Sequence, residues 1–158
     1  MARPARNSDP NELRGISRTF FVSSKTIQGR FLFQTERMAL LFIEVLRAYV
    51  SSGKFTVHDF VVMPDHVHLL LTVDNMSSIE KAMQLIKGGF SYRAKKELKH
   101  QGEIWQKGFS EIRIVDRRSF LKHREYIDMN PVKAGFVDST EKFPYGSAYF
   151  KKQKKNRG

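Results

Sequence analysis

The sequence predicts an α+β fold, with one antiparallel sheet of four to five strands packed with helices. Three observations lead there. Apolar patterns follow the order β-α-β-β-α-β-α; the two middle β-like runs are separated only by Pro64-Asp65; and 158 residues, 41% of them hydrophobic, supply one core. Proline presets φ for a turn and aspartate can bond its own backbone, so the middle runs form an antiparallel hairpin. A hairpin at the centre of alternating strands and helices argues for a sandwich of ferredoxin-like kind over a doubly wound parallel sheet.

Each element has its own signal. Residues 1–15, polar and proline-containing, form a flexible N-terminal arm, and a single domain spans 16–150. "ISRTFFVSS" is rich in β-branched and aromatic residues and is the first strand. In "QTERMALLFIEVLRAYVSSG" the residues Met38, Leu41, Phe42, Val45, Leu46 and Tyr49 keep helical spacing until Gly53. "KFTVHDFVVM" and "HVHLLLTV" are the hairpin strands. Ser77 or Ser78 caps a long helix through "IEKAMQLIKGGFSYRAKKELKH", with a weak point at Gly88-Gly89. "FSEIRIVD" alternates as a fourth strand. "RRSFLKHREYIDMN" is helical up to Pro131, since the residue before a proline is pushed away from helical backbone. The basic segment 151–158 reads as a disordered tail.

Composition narrows the function. No cysteine is present, which excludes disulfide scaffolds, thiolate metal sites and cysteine nucleophiles, and leaves five histidines as the soft ligands. No apolar run approaches the roughly 18 to 20 residues of a bilayer span, and "MARPARNSDPNELRG" lacks a secretory apolar segment, so a cytoplasmic, nucleoid-associated location is expected, with no membrane partner. Twenty-eight Lys+Arg against 16 Asp+Glu give +12, which favours a polyanionic partner. The excess is not confined to the tail: residues 81–133 hold thirteen Lys/Arg and six Asp/Glu. Nucleic acid is the expected partner.

Within the hairpin, "MPDHVHLLL" places His66 and His68 one residue apart. On a strand such residues leave the same face with Cα atoms about 6.6 to 7 Å apart, so both rings can reach one ion while Val67 packs behind them. The alternative is two imidazoles on a solvated strand face. Imidazole suits manganese, zinc and other transition ions, and two ligands leave positions for phosphate or water. His58, His100 and His123 are weak candidates for a third ligand. A phosphoesterase built on paired His-x-Thr/Ser elements is disfavoured, because the hydroxyl and a second copy are both missing.

"KHREYIDMNPVKAGFV" offers a second group. Tyr126 and Asn130 share a helix face, with Lys122 one turn before Tyr126 and Lys133 about two turns after. A helical tyrosine is ordinarily core packing with its hydroxyl at the rim. As a nucleophile it needs help, because a phenol of pKa about 10 is only about 0.1% ionised at pH 7. Nearby lysines and an ion on a facing strand would supply it.

"VVMPDHVHLLL", "IWQKGF" and "YIDMNPVKAGFV", in this order and spacing, closely resemble the HUH single-tyrosine transposases, especially the REP-associated tyrosine transposase branch, over about Ser17 to Tyr149. The resemblance implies an HUH nuclease fold. It implies a divalent ion, magnesium or manganese, on His66, His68 and Asn130, with Tyr126 as the nucleophile. It also implies a transposase or endonuclease that cuts and rejoins single-stranded DNA, typically imperfect hairpins flanked by a cleavage sequence, through a 5′-phosphotyrosine intermediate. Family members vary at the position of Asp128, which receives no role. Lys87, Arg93, Lys95, Lys96 and Lys99 on the long helix, with Lys122 and Lys133, are candidate phosphate contacts, and Trp105 can stack on an unpaired base. For the lysines the alternative is a solvated helix face; for Trp105 it is the core. Two rival functions remain: a hairpin-binding protein without cleavage, and a metal hydrolase without a covalent intermediate. Monomer or homodimer is left open, as is whether the histidines and Tyr126 meet within one chain.

Overall fold

The computed structural model describes residues 17–157; the arm expected over residues 1–15 lies outside them. The strands are β1 (Arg18–Lys25), β2 (Thr56–Met63), β3 (His66–Val73) and β4 (Ser110–Ile114). The helices are α1 (Glu36–Ser51), α2 (Ile79–Glu97), α3 (Arg117–Lys133) and α4 (Ser147–Arg157). The strands form one sheet in the order β2-β3-β1-β4, with every neighbouring pair antiparallel. This is the expected α+β fold, with four strands. β3 lies between β1 and β2, as the split arrangement requires.

The pleat sorts side chains into two layers. Val67, Leu69, Leu71 and Val73 of β3 join Phe20 and Val22 of β1 beneath α1 and α2. On the other face Phe21, Leu70, Val61 and Met63 pack with Ile127 of α3. Leu69, Leu70 and Leu71 are fully buried, each contributing about 1.5–3 kcal/mol. The even positions of β3, His66 and His68 among them, therefore face α3.

Side-chain caps start three helices: Thr35 accepts from the Met38 N–H, Ser78 from Lys81 and Asp116 from Ser119. Two expected boundaries move. α3 passes through Pro131 to Lys133. The proline forgoes one backbone donor, its ring is buried, and the helix stops where Gly135 takes φ 84 with its N–H on the Val132 carbonyl at 3.0 Å. The expected disordered tail is also redrawn, because residues 151–157 continue α4. Phe150 anchors this helix on Phe60 at 6.2 Å and beneath the Arg47 guanidinium at 4.5 Å, and the lysines and glutamine that follow are good helix formers. The start of α4 and the residues before it cover the β2 edge: Val62 N–H donates to the Tyr145 carbonyl at 2.8 Å and Phe60 N–H to Ser147 Oγ at 2.7 Å.

The Gly88-Gly89 pair does not break α2. A Cβ on Gly89 would collide with the Tyr49 hydroxyl of α1, whereas Gly88 has nothing within 4 Å. One glycine thus lets two helices approach, and its neighbour carries only the helix-propensity cost. Gly88→Ala should raise unfolding free energy in urea by up to about 1 kcal/mol. Gly89→Ala should lower it, and shortening Tyr49 to leucine in the same chain should recover part of the loss. Equal gains from both alanines would contradict this packing.

Candidate active site

β3 and α3 bring His66, His68 and Tyr126 together within one chain. The two imidazole centroids are 4.7 Å apart at 72°, and the His68 ring lies 5.4 Å from the Tyr126 ring at 70°. Phe21 of β1 forms the floor, 5.4 Å from His68 and 5.8 Å from Tyr126. Tyr126 remains 47% exposed, so its hydroxyl is not shut inside the core. Asn130, one turn further along α3, lines the same cavity of about 550 Å³ as His66.

Both imidazoles are held by the same nitrogen. His66 Nδ1 lies 2.7 Å from Asp65 Oδ1, and His68 Nδ1 lies 2.6 Å from Ser23 Oγ. A carboxylate only accepts, so His66 donates from Nδ1 and keeps the Nε2 lone pair. Such partners fix tautomer and ring orientation in metal-binding histidines. Burial chiefly pushes the His68 imidazole down to about 3, with a further lowering whenever His66 is protonated, so it is neutral at pH 7, the state an ion requires. Among the described residues no three His, Cys, Asp or Glu side chains converge. The donors that fit a divalent ion are thus two imidazoles and the Asn130 amide, leaving positions for phosphate or water.

Of the other histidines only His123 comes near the pair, its ring packing on the Phe21 floor at 4.9 Å. His58 Nε2 bonds Thr72 Oγ1 at 2.6 Å and its ring meets Phe120. His123 Nδ1 donates to the Ser119 carbonyl at 2.8 Å. His100 follows the end of α2, which packs on the opposite face of the sheet.

The expected DNA contacts divide. Lys87 turns inward, donating to the carbonyls of Gly108 at 2.7 Å and Gln106 at 3.1 Å. Trp105 packs 5.6 Å from Phe33 and 5.9 Å from Phe42 and Phe90, and its indole N–H donates to the Lys87 carbonyl at 3.1 Å. Both hold the loop between α2 and β4 against α2, Lys87 through its ammonium group and Trp105 through its indole. Arg93 is paired with Glu97 at 2.6 Å and with Glu44 at 3.2 Å. Lys95, Lys96 and Lys99 are exposed, but at the end of α2, in the layer opposite the histidines. Lys122 and Lys133 are exposed on or at the end of the tyrosine helix itself. Sequence reasoning took Asp65 only as a turn residue and missed Ser23, whose pairing opposite His68 emerges only from the β1–β3 register.

Residues 24–130 match the pattern that defines the IS200-like transposases, and the chain belongs to that family. A REP-associated tyrosine transposase of Haemophilus influenzae is 31% identical over 96 residues, 54% of each chain. Its Escherichia coli K12 counterpart is 30% identical over 94 residues, 59% of this chain and 54% of that one. The match thus spans about half the length of these relatives. Among solved structures, a REP-associated tyrosine transposase bound to a REP hairpin has the same fold, with TM-score 0.68 and 23% identity over 94% of this chain and 84% of that one. A transposase structure from Deinococcus radiodurans aligns with TM-score 0.51 and 18% identity, covering 80% of this chain and 95% of that one.

A second buried cluster ties the tyrosine helix to the sheet. A bulge between Val57 and Asp59 lets His58 and Asp59 both face α3. Asp59 is fully buried against Asp128, near Ser147 and 3.7 Å from Lys151 Nζ. Neither Asp59 oxygen nor Oδ1 of Asp128 has a hydrogen-bond partner among the described residues, which favours the protonated form of the desolvated Asp59 carboxyl. Burial first, then Asp128, raises the Asp59 pKa far above the usual carboxylate range. Between its ordinary and raised values the folded chain binds a proton that the unfolded chain has released, so stability falls as pH rises through that window. The slope is at most about 1.4 kcal/mol per pH unit, the limit for one proton. Asp59→Asn should flatten the curve of urea stability against pH from 5 to 8. Parallel curves for the variant and the parent would contradict the raised Asp59 pKa.

Proposed function

We propose that this chain is a metal-dependent tyrosine nuclease and strand transferase, a transposase that acts on single-stranded DNA, hairpins included. The observation that carries the reading is Tyr126, half exposed, with its ring 5.4 Å from one of two paired imidazoles in the same chain. A core tyrosine has no reason to stay half exposed beside that pair, whereas a nucleophile does.

His66, His68 and Asn130 would hold the ion, magnesium or manganese, which when bound supplies Lewis-acid polarisation of the scissile phosphate. Tyr126 gives up its proton to water, and its oxygen forms a bond to phosphorus as the bond from phosphorus to the 3′ oxygen breaks. The departing oxygen takes up a proton, leaving a free 3′-OH and a 5′-phosphotyrosine. One phosphodiester has replaced another of similar energy, so a 3′-OH from a second strand can reverse the step without ATP. Asp65 and Ser23 keep the imidazoles aimed throughout. Lys122 and Lys133 stand where they can meet flanking phosphates, while Lys95, Lys96 and Lys99 would grip a hairpin stem only if it reaches round to the α2 layer. A single strand suits the site because one phosphate of a flexible backbone must enter between a strand and a helix. Likeness in fold to a relative solved with a REP hairpin supports hairpin DNA as the substrate class.

Labelled hairpin oligonucleotides incubated with the protein and manganese should give a denaturation-resistant adduct. Tyr126→Phe should abolish the adduct and leave hairpin affinity within about two-fold, because a lone hydroxyl adds little to a grip dominated by phosphate contacts. Strand cleavage that survives Tyr126→Phe would favour the hydrolase alternative, and tight binding without cleavage by the parent protein would favour the non-catalytic one.

A further inference from the structure

The cavity that His66 and Asn130 share extends away from Tyr126 into an aromatic chamber of about 550 Å³, walled by Phe31, Phe136 and Tyr145. Phe31 is 61% exposed and Phe136 51%, both large apolar rings left open to solvent. Phe136 stacks on Phe143, also a lining residue, at 6.1 Å and 17°. The Gln34 and Asn130 amides supply both donors and acceptors on the wall. Aromatic faces with a few amides are what an unpaired nucleobase requires: stacking for affinity, edge hydrogen bonds for selectivity.

Two elements agree on where the chamber lies relative to the nucleophile. Along α3, Tyr126, Asn130 and Ala134 follow one another by a turn, roughly 5–6 Å each, and only the last two line the chamber. Along β3, His68 meets the Tyr126 ring, whereas His66 is the histidine in the chamber wall. The order is therefore nucleophile, phosphate site, chamber. In an in-line displacement the entering and leaving oxygens lie on opposite sides of phosphorus. With Tyr126 entering from one side, the 3′ oxygen leaves toward the chamber.

Resting on the nuclease reading above, we infer that this chamber binds the base of the nucleotide immediately 5′ of the scissile phosphate, the one that departs with the 3′-OH. Holding that base keeps the free 3′-OH beside the phosphotyrosine, where it can rejoin or be exchanged for the end of another strand. It also makes this nucleotide, rather than its 3′ neighbour, a point at which the protein itself reads sequence.

The test uses the full chain and a hairpin whose cleavage position has been mapped from its 3′-OH product. An abasic residue on the 5′ side of the scissile phosphate should slow adduct formation about five- to 100-fold, and one on the 3′ side by less than about three-fold. Phe136→Ala should reproduce the 5′ loss with the intact oligonucleotide and show little further loss with the abasic one, since both remove the same stack. Independently of catalysis and without metal, 2-aminopurine at the 5′ position should be quenched on binding Tyr126→Phe. That quench should vanish when Phe136→Ala is added. Adduct formation indifferent to the 5′ abasic residue, a larger loss from the 3′ one, or a quench that survives Phe136→Ala overturns the assignment while leaving the tyrosine chemistry standing. Failure of any hairpin to form an adduct overturns the nuclease reading, and this assignment with it.

Discussion

The pleat of β3 is the constraint on which the site depends. Because successive side chains point to opposite faces, burying Val67, Leu69 and Leu71 beneath α1 and α2 obliges His66, His68 and Leu70 to face α3. A slip of one residue in the β1–β3 pairing would turn both imidazoles into the other core and lose the Ser23 contact to His68. The hydrophobic effect thus sets the direction of the metal-binding candidates, and a histidine pair that looks out of place in an apolar run is a consequence of where that run is buried.

The tyrosine side of the site depends on α3 staying helical and seated. Ile127 is fully buried against the sheet, while its neighbour Tyr126 remains half exposed, so the helix is anchored next to the tyrosine without burying it. Asp59 and Asp128 add a polar tie at the same level. The helix continues through Pro131, which keeps Asn130 on regular backbone one turn from Tyr126. Had the helix ended before Pro131, the amide and the phenol would have no fixed relation.

Much of this was legible in the sequence because it rests on local periodicity. The order of strands and helices along the chain, the Pro64-Asp65 turn, the Ser78 cap and the apolar stripe of α1 follow from patterns two to four residues long. The same patterns gave the shared face of His66 and His68, and that of Tyr126 and Asn130. What the sequence hid depends on pairing between distant segments: Ser23 opposite His68, the bulge that turns His58 and Asp59 the same way, Gly89 against Tyr49, and the aromatic chamber assembled from two loops and a helix end. Charge was a poor guide to location. Lys87 and Arg93 look like phosphate contacts in a basic stretch, yet loop carbonyls take one and two glutamates the other. The basic end of the chain extends a helix anchored by Phe150. Trp105 beside a glycine-flanked loop suggests an exposed stacking platform but fills the junction of Phe33, Phe42 and Phe90.

The central claim is geometric: an ion on the two Nε2 atoms stands beside the phenol of the same chain. Anomalous diffraction from crystals grown with manganese tests it directly. The account predicts one strong peak within about 2.0–2.4 Å of both His66 Nε2 and His68 Nε2, typical of bonds from imidazole nitrogen to a divalent transition ion, with Asn130 Oδ1 as the third protein ligand and Tyr126 facing it. A peak on other side chains, or none at saturating manganese while the rings keep their positions, would contradict it.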